Sequence, residues 1–299
     1  MYHTPFFRSK NPLIPRAPRI RQQGWLQPLL GVTGCFLVSL QLLQAQDVSV
    51  QEQLDALLSE YQQPDAPGIV VGVLEKGVTL YLKGFGVANL ETRAPITPTT
   101  VFDVASLAKQ FTGITIAMLA AEEALSLEDP ITSHLEGLPD FCQTITVSQL
   151  LKHTSGIRDW PGLLVLGGLR LEDSITLKDI HSMVKNQRAL NFPPDEESLY
   201  TNTGYNLLAL IAERVTTDRF SDWTDQHLFT PLGMSNSFFH QSQGRIIKSL
   251  ARSYAPSDRQ KWTEIGNQLT AVGSSSLFTT VEDLLRWIQH FDTPTLLEA

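Results

Sequence analysis

The sequence predicts a mixed α/β (α+β) fold that combines an antiparallel sheet with flanking helices and a long helical region. Two β-branched runs, residues 68–74 and 78–84, flank the short link 75–77, which contains a glycine and is typical of an antiparallel hairpin. Apolar residues recur at helical spacing before this hairpin and along most of the chain after it. Because two strands make a poor sheet and no run after residue 234 has clear strand character, we expect the last sheet strands to be missing.

The first helices follow from apolar spacing and from proline. A helix is predicted over residues 50–61, and Pro64 and Pro67 end it. A second helix is predicted over residues 106–124, because its apolar residues step by three and four along one face. That face consists of Leu107, Phe111, Ile114, Met118, Ala121 and Leu125.

The second half of the chain predicts further helices. They cover residues 147–152, 177–185, 204–215, 220–229 and 280–291. Thr203 and Thr280 precede two of these segments, where a threonine hydroxyl is favoured as a cap. Glu282 and Asp283 lie in the first turn of the last helix, where the helix dipole favours acids.

Composition and charge bound the class of protein. The 299 residues are 42% hydrophobic and 18% charged, which suits a soluble body, residues 47–299, folded as one large domain or two intimate ones. Residues 1–46 contain basic residues but no Asp or Glu, so the body is more acidic than the net charge of −8 of the whole chain. A body this acidic repels phosphate backbones, which excludes nucleic acid as a partner and gives no reason to expect binding to anionic lipid.

Residues 1–46 have the pattern of a leader, with a basic segment followed by an apolar run. The small residue Ala45 suits cleavage of a secretory signal peptide, which predicts a periplasmic or extracellular protein. Three alternatives stay open. The run Trp25–Leu43 is just long enough to anchor the chain in a membrane, Cys35 stands in a lipoprotein-like box, and an acid-free start also suits an organelle transit peptide. Membrane contact is therefore expected only through an uncleaved leader.

Ser106-Leu107-Ala108-Lys109 is an S-x-x-K tetrad at the start of an apolar helix. At this spacing both side chains lie on one helix face, so the Lys109 amine can reach the Ser106 hydroxyl and assist its deprotonation. The free N–H groups of a helix start favour negative charge, and the Ser106 N–H is a candidate oxyanion donor. A second tetrad, residues 182–185, lies in an ordinary polar segment and is interpreted as coincidence.

Tyr200-Thr201-Asn202 is the other motif with chemical content. A phenol acts as a base when neighbouring cations favour its deprotonated form. An asparagine amide both donates to and accepts from a substrate amide. Taken alone, a Tyr-x-Asn segment is more often a helix-capping loop than part of a catalytic site.

Together the two motifs resemble the β-lactamase-related serine hydrolases, which include class C β-lactamases, D-alanyl-D-alanine peptidases and esterases on the same scaffold. The similarity extends from about Pro64 to Phe291 and is carried by five segments: 102–109, 150–157, 200–205, 231–234 and 277–284. It implies a β-lactamase/transpeptidase-like fold with a helical subdomain, and a site between its two parts. It also implies roles: Ser106 is acylated, Lys109 assists, Tyr200 is the general base and acid, and Asn202 holds the substrate amide. His153 is interpreted as structural.

The resemblance stops before the third motif of the family, Lys-Thr-Gly or His-x-Gly on a late strand, because no such tripeptide exists in this chain. The domain 47–299 is therefore expected to be incomplete at its C-terminus: a fragment, a truncated product or a protein completed by a partner. Pro193-Pro194-Asp195 and Gly273-Ser274-Ser275 also depart from the family's usual Pro-Gly and Gly-Gly. Since one oxyanion donor contributes ~3–4 kcal/mol to the barrier, we expect weak activity from this chain alone.

The expected function is hydrolysis of a β-lactam, a D-Ala-D-Ala peptide or a small ester through an acyl-enzyme on Ser106. No metal or organic cofactor is implied, and the expected partner is the small-molecule or peptide substrate. The alternatives are a catalytically impaired module that binds penicillin or peptidoglycan, and a degenerate fragment.

Overall fold

The protein is described here by a computed structural model that covers residues 49–168, 170, 173–258, 261–266 and 268–296. The predicted leader, residues 1–46 with Ala45 and Cys35, lies outside the described residues. Among the residues that are described, no helix combines the length and the apolar character needed to cross a bilayer.

The helices lie close to where the sequence predicts them. They are α1 Val50–Leu58, α2 Ala108–Ala121, α3 Val147–Leu151, α4 Trp160–Leu166, α5 Leu177–Lys185, α6 Asn202–Thr216, α7 Phe220–Thr224 and α8 Val281–Asp292. Short 3₁₀ turns extend α1 and precede α2, and a π-helical turn extends α7 to Phe229. The Thr280 side chain accepts the Asp283 N–H at 3.1 Å, which confirms the predicted cap of α8.

Two helix predictions need correction. Helix α6 begins at Asn202 with Thr201 as its N-cap residue, not after Thr203. Thr203 is fully buried inside the first turn, where its hydroxyl donates to the Arg158 carbonyl at 2.9 Å and therefore does not cap the helix. Helix α4 was not predicted, because Trp160–Leu166 is apolar almost throughout and has no helical period.

The strands are β1 Ile69–Glu75, β2 Val78–Phe85, β3 Val87–Asn89, β4 Ala94–Pro95, β5 Phe102–Asp103, β6 Phe238–Phe239, β7 Ser253–Pro256, β8 Trp262–Ile265 and β9 Leu277–Thr279. Strands β1 and β2 pair antiparallel, as predicted. Four short strands of the described chain follow residue 234, where the sequence has no run of clear strand character: β9 pairs with both β5 and β6, and β7 pairs with β8. Within the described residues, none of these later strands pairs with β1 or β2.

The main core surrounds α2, the helix that carries Lys109. Phe111 is fully buried, its ring lies 4.2 Å from that of Trp287 on α8, and it lies 5.6 Å from that of Phe229. Helix α8 also packs on the hairpin, where a Cβ at Gly72 would come within 2.8 Å of Val281. The core therefore packs α2 against α8, and α8 packs in turn on the hairpin. The residues of the apolar face predicted for the helix at residues 106–124 are buried or half-buried, except for Ala121, which is exposed.

Candidate active site

Ser106 lies at the junction between β5 and α2. The chain leaves the short sheet at Asp103, and a 3₁₀ turn, Ala105–Leu107, leads into the helix. Ala105 has a φ of 46°, a backbone conformation that costs a non-glycine residue on the order of 1 kcal/mol, and its N–H donates to the Asp103 carboxylate at 3.0 Å. This turn leaves the Ser106 side chain exposed at the mouth of a buried helix.

Lys109 lies one turn further along and is 9% exposed. Its Nζ donates to Ser106 Oγ at 3.2 Å, to Asn202 Oδ1 at 2.9 Å and to the Ser274 carbonyl at 2.9 Å. An ammonium group has three N–H donors, so these three acceptors use all of them. The nitrogen is thereby held within reach of the Ser106 hydroxyl.

Tyr200 approaches Ser106 from the loop before α6. Its hydroxyl donates to Ser106 Oγ at 2.7 Å, and the Lys109 Nζ lies 4.7 Å from its ring centroid. The Tyr200 residue is 51% exposed. A cation over the ring and a hydroxyl at hydrogen-bond distance provide the geometry that proton transfer requires.

His153 supports the Tyr200 loop. Its Nδ1 accepts the Thr201 N–H at 3.3 Å, its carbonyl accepts the Leu199 N–H at 3.0 Å, and its ring lies 4.8 Å from the Tyr200 ring. Burial, and secondarily the Lys109 charge, lowers the pKa of His153 below its usual value. A neutral imidazole with an acceptor Nδ1 matches this arrangement, and it holds both neighbours of Tyr200.

Asn202 lies in the first turn of α6 and faces Asp159, a residue that the sequence did not single out. Asp159 Oδ1 accepts the Asn202 N–H at 2.7 Å, and Asp159 Oδ2 accepts the Asn202 side-chain N–H at 3.0 Å. The segment 150–157 of the resemblance ends two residues before Asp159, but no spacing rule links that carboxylate to residue 202.

The Ser274 carbonyl is the other contact that sequence reasoning missed. Its loop follows Gly273, which has a φ of 94°. A Cβ atom added at Gly273 would lie only 2.4 Å from the Tyr205 carbonyl oxygen. The Gly273 carbonyl accepts the Thr112 hydroxyl at 2.7 Å, and Asn206 Nδ2 donates to the Val272 carbonyl at 2.8 Å. A glycine at this position was the only sequence signal for the loop.

The second tetrad has no comparable surroundings. Ser182 donates its hydroxyl to the Lys178 carbonyl at 2.9 Å along α5, a contact internal to that helix. Ser155 is fully buried, and His181 is half-buried. Within the described part of the chain, no group of three or more His, Cys, Asp or Glu side chains could hold a metal ion.

Comparison with known proteins decides the family. Residues 54–299 match the model of the Beta-lactamase family. The chain belongs to this family. Protein flp of Staphylococcus aureus (strain MW2) is 30% identical over 256 residues, which are 80% of this chain and 48% of that protein. Penicillin-binding protein 4* of Bacillus subtilis (strain 168) is 29% identical over 228 residues, 72% of this chain and 50% of that one.

Among solved structures, the octameric penicillin-binding protein homologue from Pyrococcus abyssi superposes with a TM-score of 0.71 at 26% identity. The match covers 82% of this chain and 57% of that one. The resemblance inferred from the motifs is therefore confirmed, and so is the β-lactamase/transpeptidase-like α/β fold. The chain spans about half the length of the curated relatives it matches.

Proposed function

We propose that this β-lactamase-family protein is a serine hydrolase that forms an acyl-enzyme on Ser106. The observation that carries the proposal is the position of Ser106 Oγ, 2.7 Å from the Tyr200 hydroxyl and 3.2 Å from the Lys109 Nζ. A nucleophile needs a base within about 2.6–3.2 Å, and here two candidate groups meet that distance.

In the proposed reaction, deprotonated Tyr200 takes the hydroxyl proton while Ser106 Oγ attacks the substrate carbonyl carbon. Tyr200 then gives that proton to the leaving nitrogen or oxygen as its bond to carbon breaks. Water attacks the acyl-enzyme with Tyr200 again as base, and release of the acid restores the Ser106 hydroxyl. Lys109 Nζ, 3.2 Å from Ser106 Oγ and 4.7 Å from the Tyr200 ring centroid, stabilises negative charge as the proton moves. Asn202 holds the amide of the substrate.

The proposed substrates are a β-lactam, a D-Ala-D-Ala peptide or a small ester. The relatives named for penicillin binding support a β-lactam or peptide-like amide first. The Ser106 N–H at the start of the helical segment is the proposed oxyanion donor.

The relatives named for penicillin binding also support a second candidate, a module that binds penicillin or peptidoglycan without turnover. We also propose export of the protein through residues 1–46. N-terminal sequencing of the secreted chain would test this: a mature start near residue 46 supports cleavage, and recovery of the intact chain in membranes supports a retained anchor.

A fluorescent penicillin and a fluorophosphonate probe separate the candidates. The enzyme predicts covalent labelling that S106A abolishes, followed by slow loss of the penicillin adduct. The matched control is S182A, which removes the serine of the second tetrad and should label like the unmodified chain. Reversible binding without an adduct would support the non-catalytic module, and labelling that persists in S106A would exclude Ser106 as the nucleophile.

A further inference from the structure

Asp159 receives four hydrogen bonds at the start of α6. Its Oδ1 accepts the backbone N–H groups of Asn202 at 2.7 Å and Thr203 at 3.3 Å, and the Thr201 hydroxyl at 3.2 Å. Its Oδ2 accepts one bond, from the Asn202 side-chain nitrogen at 3.0 Å. One oxygen therefore caps the helix, and the other contacts only the side chain of a site residue.

The contact to Oδ2 sets which way the Asn202 amide faces. An ionised carboxylate only accepts hydrogen bonds, so the Asn202 NH₂ group must point toward Asp159. The Asn202 oxygen then points toward Lys109, whose Nζ lies 2.9 Å away. If the amide were reversed, two oxygens would face each other at Asp159 and the NH₂ group would face the Lys109 nitrogen.

The orientation of this amide decides what the Lys109 nitrogen offers to Ser106. Ser274 contributes a carbonyl oxygen, which only accepts, and Asn202 in its fixed orientation also presents an acceptor. If Lys109 is an ammonium, its third N–H then points to Ser106 Oγ. If it is a neutral amine, its two N–H groups go to the two oxygens and its lone pair faces the Ser106 hydroxyl. In both protonation states of Lys109, the group that faces Ser106 therefore depends on Asn202 presenting its oxygen to Lys109.

We propose that Asp159 is a positioning residue that orders the protons of Lys109 by fixing the Asn202 amide. The proposal rests on the proposed function of Ser106. It assigns to Oδ2 a role separate from the capping role of Oδ1, and this difference makes it testable.

The Asp159→Asn variant tests Oδ2 alone. Asparagine caps a helix as well as aspartate does, so its Oδ1 retains the bonds to Thr201, Asn202 and Thr203. Its NH₂ group replaces Oδ2 and favours the reversed Asn202 amide, which then donates toward Lys109. We expect the rate of labelling by the fluorophosphonate probe to fall about 100-fold, with a melting temperature close to that of the unmodified chain.

The matched control is Asp195→Asn. Asp195 also accepts side-chain hydrogen bonds, from Gln149 at 2.6 Å and Thr154 at 2.7 Å, and it tolerates asparagine at its φ of 65°. It does not contact Ser106, Lys109 or Asn202, so D195N should label at the original rate. An equal loss of labelling rate in D159N and D195N would mean that Asp159 has only a general structural role, and it would overturn the proposal.

The exchange variant Asp159→Asn with Asn202→Asp gives a second test. The new carboxylate at position 202 accepts both from the asparagine NH₂ group at position 159 and from Lys109, so the original donor and acceptor pattern returns. N202D alone faces two carboxylates against each other and should label slowly. We expect the exchange to recover about tenfold in labelling rate over D159N. If D159N does not fold, a labelling rate of the double variant above that of N202D provides the same test. A double variant that labels no faster than the single variants would contradict the proposal.

A readout that needs no reaction distinguishes this inference from the proposed function. In side-chain amide NMR, the Asn202 NH₂ resonances of the S106A protein should show one ordered, exchange-protected orientation that D159N shifts and D195N leaves in place. If the unmodified chain labels with neither probe, the proposed function fails while these resonances still decide the role of Asp159. Asn202 resonances unchanged by D159N would overturn the inference even in an active enzyme.

Discussion

The Lys109 Nζ donates a hydrogen bond to the carbonyl oxygen of Ser274, although 165 positions separate the two residues. This bond joins α2, which begins just after the proposed nucleophile, to the loop before β9. The loop is held in turn by Asn206 on α6 and Thr112 on α2. The candidate site is therefore a junction of three segments, and its geometry depends on the backbone of a loop that contributes no reactive side chain.

The first prediction concerns Gly273. An added Cβ would lie 2.4 Å from the Tyr205 carbonyl oxygen and 2.8 Å from the Ala209 Cβ, at a φ of 94° that alanine rarely adopts. G273A should therefore displace the Ser274 carbonyl and lower the labelling rate about 100-fold. The control is G113A, because Gly113 is helical and nothing lies within 4 Å of its Cβ site. G113A should keep the labelling rate and raise the free energy of unfolding by about 0.5–1 kcal/mol. Equal labelling rates in G273A and G113A would exclude this role of the loop.

The second prediction concerns the Tyr200 hydroxyl. Y200F removes the oxygen that lies 2.7 Å from Ser106 Oγ but keeps the ring that Lys109 approaches. Loss of a general acid and base lowers a rate by about 10²–10⁴-fold, and we expect a loss in this range for acylation. The matched variant Y205F removes a hydroxyl that donates to the Leu151 carbonyl instead, so its rate should stay near the original. Stopped-flow measurement of penicillin acylation compares the two, and a Y200F rate near that of Y205F would remove Tyr200 from the mechanism.

Part of this architecture was predictable because its signals are local. The β1–β2 hairpin has long β-branched runs around a short glycine link, and the helices α1, α5 and α8 repeat apolar residues at helical spacing. Strands β6 and β9 are two and three residues long, too short for any period to develop, and only their mutual pairing defines them.

The residues of the candidate site also differ in whether a local sequence pattern could predict them. Ser106 and Lys109 are one helical turn apart, so spacing alone brings them together. Tyr200 required the family resemblance, because no local pattern links it to a residue 94 positions earlier. Asp159 and the Ser274 carbonyl act through tertiary contacts and backbone atoms, and neither has a residue signature in the sequence.

The third prediction concerns acid pH. Burial lowers the pKa of His153, so below about pH 6.5 the unfolded chain takes up a proton that the folded chain resists. This contribution to stability is fully present above that pH and is lost as the pH falls toward the lowered value. Protonation also ends the ability of Nδ1 to accept the Thr201 N–H, which loosens the Tyr200 loop. Both stability and labelling rate should therefore decline on acidification.

The variants H153N and H181N separate the two effects. Asparagine tolerates the φ of 61° at position 153 and does not titrate, so H153N should flatten the decline of labelling between pH 7 and pH 5. Burial also lowers the pKa of His181, which lies on α5 and has no bond to the Tyr200 loop. H181N should change the pH dependence of the melting temperature and leave that of labelling alone. A labelling profile unaffected by H153N would exclude His153 as the cause.

The fourth prediction concerns the buried carboxylate of Asp283 on α8. Its side chain is fully buried and accepts the Asn236 N–H at 2.8 Å, the Ser237 hydroxyl at 2.8 Å and an Arg286 N–H at 2.5 Å. D283A would remove the buried acceptor that all three donors share and should lower the free energy of unfolding by about 3 kcal/mol. Glu282 pairs with the same arginine at 3.2 Å on the surface, so E282A should cost less than about 1 kcal/mol. Urea denaturation measures both, and equal losses would contradict the difference in burial.

The fifth prediction concerns the reactivity of Cys142. Its side chain is fully buried, and desolvation raises the pKa of its thiol to about 11. Since the thiolate is the reactive form, both its scarcity and its burial should protect it from iodoacetamide at pH 8 in the native chain. Site-resolved mass spectrometry should show alkylation of Cys142 at least about 100-fold faster in 6 M guanidinium chloride, where its pKa returns to about 8.5. In D283A the fold opens more often, so alkylation of native Cys142 should speed up about tenfold for each ~1.4 kcal/mol of stability lost, whereas E282A should change it by less than about fivefold. Fast alkylation in the unmodified native chain would show that the core around α3 opens far more readily than its packing indicates.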